Sequence, residues 1–331
     1  MPGHLEGKSI VVTGSGRGIG REVALLAASL GAKVVVNDPG VNVDGSSQDN
    51  GPAEQTAADI TARGGTAVAN TDAVGTMDAG ERLIKTALDA FGRLDGLVNC
   101  AGILRDRMVF NMSEEEWDDV IRVHLKGHFS TIKPASILFR QQRYGRIVNF
   151  SSISGLQGNP GQANYGAAKA GIAGLTRVVA RDLGRYGVTC NAISPGAQTR
   201  MTQSVPDASR ALRARATGGQ PIEMPRTTSE LTPQGPEQVA PMTVFLLTDP
   251  AWNINGQIFH VAGGSIQRVN TPYPAAASLF KRGGNWTMEE LTQLVPQQLM
   301  SGVTNPAPPA ADLDLPGRPA ASSEEAQPAP R

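Results

Sequence analysis

The sequence predicts an α/β fold, a single doubly wound parallel-sheet domain with a C-terminal extension. Three observations predict it. The first strand, Ser9 to Val12, runs directly into Thr13-Gly14-Ser15-Gly16-Arg17-Gly18-Ile19-Gly20 and then into a helical pattern. Apolar runs and amphipathic stretches then alternate through most of the chain, the signature of parallel strands covered by helices on both faces. Finally, a serine, a tyrosine and a lysine are spaced so that such a fold would bring them together.

The glycine stretch opens the chain of inference. Strand, glycine turn and helix is the context in which a dinucleotide-binding motif works. The glycines Gly14, Gly18 and Gly20, with Ile19, let the backbone approach a pyrophosphate, and the helix N-terminus adds partial positive charge. The helix is expected over Arg21–Leu30, stopped by Gly31. A second strand, Lys33 to Asn37, ends at Asp38. An acid about 20 residues after the glycine motif would hydrogen-bond the adenosine ribose hydroxyls and repel a 2′-phosphate, which favours NAD. Arg17 pulls the other way, because a guanidinium in the glycine turn would hold that phosphate; NADP therefore stays open.

Residues 39–52 form a polar, glycine-rich loop, long for a strand-to-helix connection. A helix is expected over Ala53–Arg63 and a third strand over Thr66–Ala69. Asp72 follows, placed to meet the adenine edge, with Ala73 beside it. A helix over Met77–Phe91 leads to a fourth strand, Gly96–Asn99. That strand closes in Asn99-Cys100-Ala101-Gly102, small residues suited to lining a cofactor groove. Ser113-Glu114-Glu115-Glu116 is a capping box, and it starts a long helix carrying His124.

The apolar residues Ile147, Val148 and Phe150 mark the fifth strand, which ends at Ser152. Tyr165 stands 13 residues later and Lys169 four after that. On a helix, the phenol and the ammonium share a face. A phenol is a poor base at neutral pH, and a nearby cation favours its phenolate. Together these are groups for moving a proton to or from an alcohol. A sixth strand, Val188–Ile193, leads to Pro195-Gly196. Residues 197–235 then change character, with several Pro and Gly and with Arg210, Arg213, Arg215 and Arg226. A substrate lid is expected there, its arginines set to meet the phosphates of a carrier such as coenzyme A. A helix over Pro236–Leu247 and a last strand over Gln257–Val261 complete a domain of residues 1–270. An extension, 271–304, carries a short helix from a second capping box at Thr287 through Leu294. The Pro/Ala-rich tail, 305–331, is expected to be disordered.

Composition agrees. The chain has 331 residues, 40% hydrophobic and 18% charged, with zero formal net charge, so neither nucleic acid nor an anionic membrane is indicated as partner. No apolar run is long enough to span a bilayer. The two cysteines, Cys100 and Cys190, read as thiols of a reducing compartment. A cytoplasmic location is expected, and no metal-ligand cluster is present in the pattern.

In order and spacing, TGSGRGIG (13–20), NCAG (99–102), Ser152, Tyr165-x-x-x-Lys169 and Pro195-Gly196 resemble the short-chain dehydrogenase/reductase superfamily, a Rossmann-fold group. The resemblance covers residues 5–268. It implies that Ser152 polarises the carbonyl, that Tyr165 is the general acid/base, and that Lys169 binds the nicotinamide ribose and lowers the Tyr165 pKa. It also implies that Thr199 contacts the carboxamide. Most members carry an asparagine where this chain has His124; the histidine is expected to serve the same proton relay and to titrate near neutrality. VHLKG (123–127), NDPG with its long loop (37–52), AGILRDRM (101–108), GQANYGAAKAGIAGL (161–175) and RMT (200–202) look like the (3R)-hydroxyacyl-CoA dehydrogenase part of peroxisomal multifunctional enzymes. They also look like bacterial enzymes that oxidise steroid side-chain acyl-CoAs. The expected substrate is a 3-hydroxyacyl-CoA. A free hydroxysteroid, or a 3-oxoacyl group reduced with NADPH, is the alternative, and a dinucleotide sensor without turnover a more distant one. Family members pair through their long helices, here near 115–142 and 163–186, so a homodimer or homotetramer is expected.

Overall fold

The computed structural model describes residues 4–46, 51–197, 235–269, 279 and 293–301. The expected lid, with Thr199, falls almost wholly outside them, as do the 305–331 tail and most of the extension. Residues 293–301, taken by themselves, form a short helical segment with π geometry over Val295–Leu299.

The main unit is built on one eight-stranded sheet in the order β3-β2-β1-β4-β5-β6-β7-β8. The strands are β1 Ser9–Thr13, β2 Lys33–Asn37, β3 Thr66–Asn70, β4 Gly96–Asn99, β5 Gly145–Phe150, β6 Val188–Pro195, β7 Ile258–Ala262 and β8 Ser265–Val269. The first seven run parallel. Their side chains alternate between two apolar layers. Ile10, Val12, Val34, Val36, Val98 and Val148 face helices α1 (Gly18–Ser29) and α2 (Gly51–Ala62). Val11, Val35, Leu97 and Ile147 face α3 (Met77–Phe91) and further helices of the opposite layer. That two-sided burial explains why the strands read as continuous apolar runs.

The chain winds outward through β1, β2 and β3 and then crosses back to β4 on the other side of β1. This reversal opens a crevice beyond the carboxyl ends of β1 and β4, where doubly wound sheets bind ligands. A polar row secures those ends. Asn37 Nδ2 donates to Asn70 Oδ1 at 2.8 Å, and Asn99 Nδ2 to Asn149 Oδ1 at 3.0 Å. Thr13 Oγ1 accepts from the Cys100 and Ala101 amides at 3.0 and 3.1 Å. Buried amides paired this way hold the strand ends in fixed register.

Three expectations need correction. The sheet does not end with β7: β8 returns antiparallel, with Ala262 opposite Ser265. Gly263, at φ 53°, and Gly264 make the two-residue hairpin, a Gly-Gly signal for a tight turn. The long helix from the capping box is not continuous. It runs as α4 (Glu114–Ile121), a π turn over Arg122–Lys126, and α5 (Gly127–Gln142). The capping box itself forms, with Ser113 accepting from the Glu116 amide and Glu116 from the Ser113 amide. The helix expected over Pro236–Leu247 divides into a 3₁₀ turn at Pro236–Gln238 and a short helix at Ala240–Phe245 with Pro241 in its first turn. In the remaining connection, α6 (Ile153–Leu156) follows β5, and α7 (Ala163–Leu183) packs beside it.

Candidate active site

A groove of about 370 Å³ lies over the crevice, lined at one end by Gly14, Arg17, Gly18, Ile19, Gly20 and Asp38. Ala73, Cys100, Ala101, Gly102 and Pro195 continue the wall, and His124, Tyr165 and Lys169 stand at the other end. Helix α1 begins at Gly18, so Ile19 and Gly20 belong to its first turn. Two glycines are required by contact. A Cβ on Gly14, whose φ is 64°, would stand 2.7 Å from Ala101 Cα, and one on Gly20 would stand 2.2 Å from the Gly14 carbonyl oxygen. The turn therefore presents bare backbone and a helix N-terminus to the groove, which fits a pyrophosphate. Asp38 fastens the turn: its carboxylate accepts from the Gly16 amide at 3.0 Å and from the Gly40 amide at 2.8 Å.

Not every expected contact faces the groove. The Asp72 carboxylate accepts from the Arg82 guanidinium at 2.6 and 2.8 Å and from Asn70 at 3.0 Å, while Ala73 and Val74 line the wall. Asn99 supports β5 through Asn149 and takes the Thr131 hydroxyl. Gly196 continues the sheet edge, donating to Val261 O at 2.8 Å.

Ser152 caps α6, its hydroxyl accepting from the Ser154 amide at 3.2 Å, and it lies near enough to Tyr165 to favour the phenolate. Tyr165 and Lys169 lie one turn apart on α7. Lys169 Nζ stands 5.4 Å from the Tyr165 ring centre and donates to the Phe150 carbonyl at 2.7 Å. Burial pushes the Tyr165 phenol up to about 12, against the pull of Ser152, and pushes the Lys169 ammonium down to about 8. Lys169 thus does not bring the phenol into working range by itself, contrary to expectation. The low-dielectric site penalises both charged forms.

His124 departs further. Its ring meets Tyr165 edge-on at 5.1 Å between centres. Nε2 lies 3.1 Å from the Ile103 amide nitrogen and 2.8 Å from the Ile103 carbonyl oxygen, and Nδ1 is buried without a partner. Burial, with Lys169 nearby, holds this imidazole well below its usual range, so it does not titrate near neutrality. A Cβ on Gly102 would stand 2.3 Å from His124 Cε1; the glycine there is the room the ring needs.

Burial pushes His128, one turn further on, down to about 3. Both histidines fold neutral. As pH falls below about 6.5 the unfolded chain binds protons at these sites that the folded chain does not, so stability falls as pH falls. Each can contribute up to about 1.4 kcal/mol per pH unit. Urea unfolding is expected to lose stability from about pH 6.5 to pH 5.5, above the range in which most carboxylates titrate; a flat profile there would contradict neutral buried histidines.

Several groove residues carried no separate sequence signal. The 39–46 loop folds back over the groove: Leu104 donates to Val43 O at 2.8 Å, and Val41, Val43 and Gly45 line the wall. The apolar Val41 and Val43 inside an otherwise polar loop were the available clue. Gln162 bonds Asp106 at 3.0 and 3.1 Å, and Asn164 bonds the Arg105 and Glu116 carbonyls. These contacts fasten the 103–108 segment to the start of α7. Among the described residues, no group of three or more His, Cys, Asp or Glu could hold a metal ion, and no helix is long and apolar enough to cross a membrane.

A glycine-turn groove with a Ser/Tyr/Lys set beside it defines an oxidoreductase of the short-chain class, and the chain belongs to the short-chain dehydrogenase/reductase family. Residues 14–265 match the family model described as enoyl-(acyl carrier protein) reductase. Among individual proteins, the chain is 40% identical over 296 residues to the hydroxyacyl-CoA dehydrogenase ChsB1 of Mycobacterium tuberculosis, covering 87% of each. It is 40% identical over 288 residues to peroxisomal multifunctional enzyme type 2 of Mus musculus, covering 87% of this chain but 36% of that longer protein. It is 43% identical over 259 residues to a 3-oxoacyl-[acyl-carrier-protein] reductase of Synechocystis, covering 77% of this chain and 96% of the other. A crystal structure of a short chain dehydrogenase from Mycobacterium avium superposes with a TM-score of 0.75 at 42% identity, covering 93% of this chain and 98% of that one.

Proposed function

We propose that this protein interconverts the 3-hydroxyl and 3-keto groups of an acyl-CoA with NAD, Tyr165 acting as general acid/base. The observation that carries the reading is Tyr165 and the buried Lys169 lining the same groove as Asp38, with Ser152 beside Tyr165. The likeness to a hydroxyacyl-CoA dehydrogenase and to multifunctional enzyme type 2 supports the substrate class. A nicotinamide ring in the groove supplies the hydride acceptor or donor. Tyr165 takes the proton of the substrate hydroxyl, and Ser152 donates to the developing carbonyl oxygen. Lys169, held at the Phe150 carbonyl, keeps a positive charge one helical turn from the phenolate as it forms. His124 stays neutral, walls the site and orients Ile103. The described cysteines are free thiols, which suits a cytoplasmic address. Phe129, Ile137 and Val178, apolar and about half exposed on α5 and α7, support pairing through these helices.

NADH formation from (3R)- and (3S)-hydroxyacyl-CoA, with NAD against NADP and with a free hydroxysteroid as control, tests this reading. Failure of both CoA esters alongside oxidation of the steroid would remove the substrate. Arg17 in the groove wall and the likeness to a 3-oxoacyl reductase favour one second reading, reduction with NADPH. Asp38 separates the two. Asp38→Asn keeps an acceptor for the glycine-turn amides but removes the charge that opposes a 2′-phosphate. It is expected to shift the NADP/NAD ratio of kcat/KM toward NADP by about ten-fold or more, about 1.4 kcal/mol. An unchanged ratio would mean Asp38 does not select the cofactor.

A further inference from the structure

We propose that His128 is a positioning residue of the active site. Its imidazole ties the π turn carrying His124 to Phe150, the last residue of β5, and through that residue it sets the place of the Lys169 ammonium. The inference rests on the reading that Tyr165 and Lys169 carry the proton chemistry.

Parallel pairing of β5 with β4 stops at Asn99 opposite Asn149, because β4 turns away at Cys100. On the other side, the Ser151 amide donates to Ile193 O at 2.8 Å. A strand residue points its N–H and C=O to the same side, and its neighbour points to the opposite side. Phe150 therefore turns both its groups toward the side β4 has left. Buried backbone groups need partners, and two side chains supply them. His128 Nε2 accepts from the Phe150 amide at 3.4 Å, and Lys169 Nζ donates to the Phe150 carbonyl at 2.7 Å.

The other ring nitrogen completes the tie. His128 Nδ1 lies 2.7 Å from the His124 carbonyl, one turn back on the same face. A single neutral tautomer satisfies both contacts: Nδ1–H donates to His124 O, and Nε2 accepts from Phe150. The ring is 2% exposed, and no water need mediate either bond. The imidazole thus spans from the π turn, where the His124 ring meets Tyr165, to Phe150, the residue whose carbonyl anchors Lys169 and which precedes Ser151 and Ser152. Nothing else described links these pieces with two hydrogen bonds from one side chain. A core histidine with no role beyond packing would have no need to join these two elements at the site.

The test uses the full-length protein and three readouts: steady-state kinetics, NADH affinity by fluorescence, and amide exchange of the 145–152 segment. His128→Leu removes both bonds. It is expected to lower kcat by about ten-fold or more, as small misplacements of catalytic groups do, with KM and NADH affinity within about three-fold. The Phe150 amide should exchange at least about ten-fold faster, while β1 stays protected. His128→Gln, whose amide reaches the Nε2 position, should restore Phe150 protection and part of kcat; it also serves if the leucine variant does not fold. A leucine variant with unchanged kcat, an equal loss of kcat and NADH affinity, or an unaltered Phe150 amide would overturn the proposal. If the wild-type protein turns over no acyl-CoA, the substrate reading falls, and the exchange comparison still decides whether the tie exists.

Discussion

Tyr165→Phe is expected to remove nearly all turnover, by about three orders of magnitude, and to leave dinucleotide binding unchanged. The substitution deletes one oxygen and little else. The ring packs beside Ile103, Val120 and Ala168 and meets His124 edge-on at 5.1 Å, and phenylalanine keeps those contacts. What is lost is the hydroxyl that, in the proposed reaction, exchanges the substrate proton. General acid/base groups contribute about 10² to 10⁴ in rate. The direction of the pH dependence follows. Oxidation runs on the phenolate, and burial has pushed the phenol up to about 12. The rate of oxidation should therefore climb as pH rises from neutrality, while reduction, which uses the phenol, should not. Rates in both directions against pH, with NADH fluorescence for binding, check both claims. If the variant retained a tenth of wild-type turnover, or lost NADH binding as well, Tyr165 would have a different role.

Gly80→Ala is expected to destabilise the fold by about 3 kcal/mol. Helix propensity alone predicts the opposite sign, because alanine in a helix interior is favoured over glycine by about 1 kcal/mol. The packing decides. Helix α3 crosses α5 so closely that a Cβ on Gly80 would stand 2.0 Å from the Ser130 carbonyl oxygen and 2.6 Å from its carbon. These are backbone atoms, so no side chain can swing aside, and the helices must part. Overpacking of this kind costs about 1–3 kcal/mol or more. Pro134 stands four residues after Ser130 in α5 and has no N–H to offer that carbonyl, so the close approach falls at a gap in the helical ladder. Because α5 also carries His128, moving it should reach the site. Urea unfolding measures the effect; a variant as stable as the wild type would show that the helices separate without cost.

Much of this protein was legible in its residues because the responsible signals are local. A strand running into Gly14–Gly20, the capping box at Ser113, and Tyr165 one turn before Lys169 each follow from spacing within a few residues. Repeated along the chain, such signals specify a doubly wound sheet and its ligand crevice. The Gly263-Gly264 hairpin was equally local, and β8 could have been read from it. The long loop after Asp38 was visible as a loop, but its fold back onto Leu104 depends on a contact between residues 61 apart.

What only the tertiary structure decided depends on burial and on contacts between distant segments. Spacing put Lys169 beside Tyr165 and suggested a lowered phenol; the desolvation of the surrounding core raised it instead. His124 read as a group for neutral pH, yet its ring is enclosed against Ile103 and Gly102 and stays uncharged. The partnership of His128 with Phe150 arises where β4 ends one residue short of its neighbour. Residue order determined which groups the site contains, because order sets neighbours along a helix or strand. Their charge and orientation were decided by desolvation and by which backbone groups the folded sheet left unpaired, properties that exist only once distant parts of the chain have met.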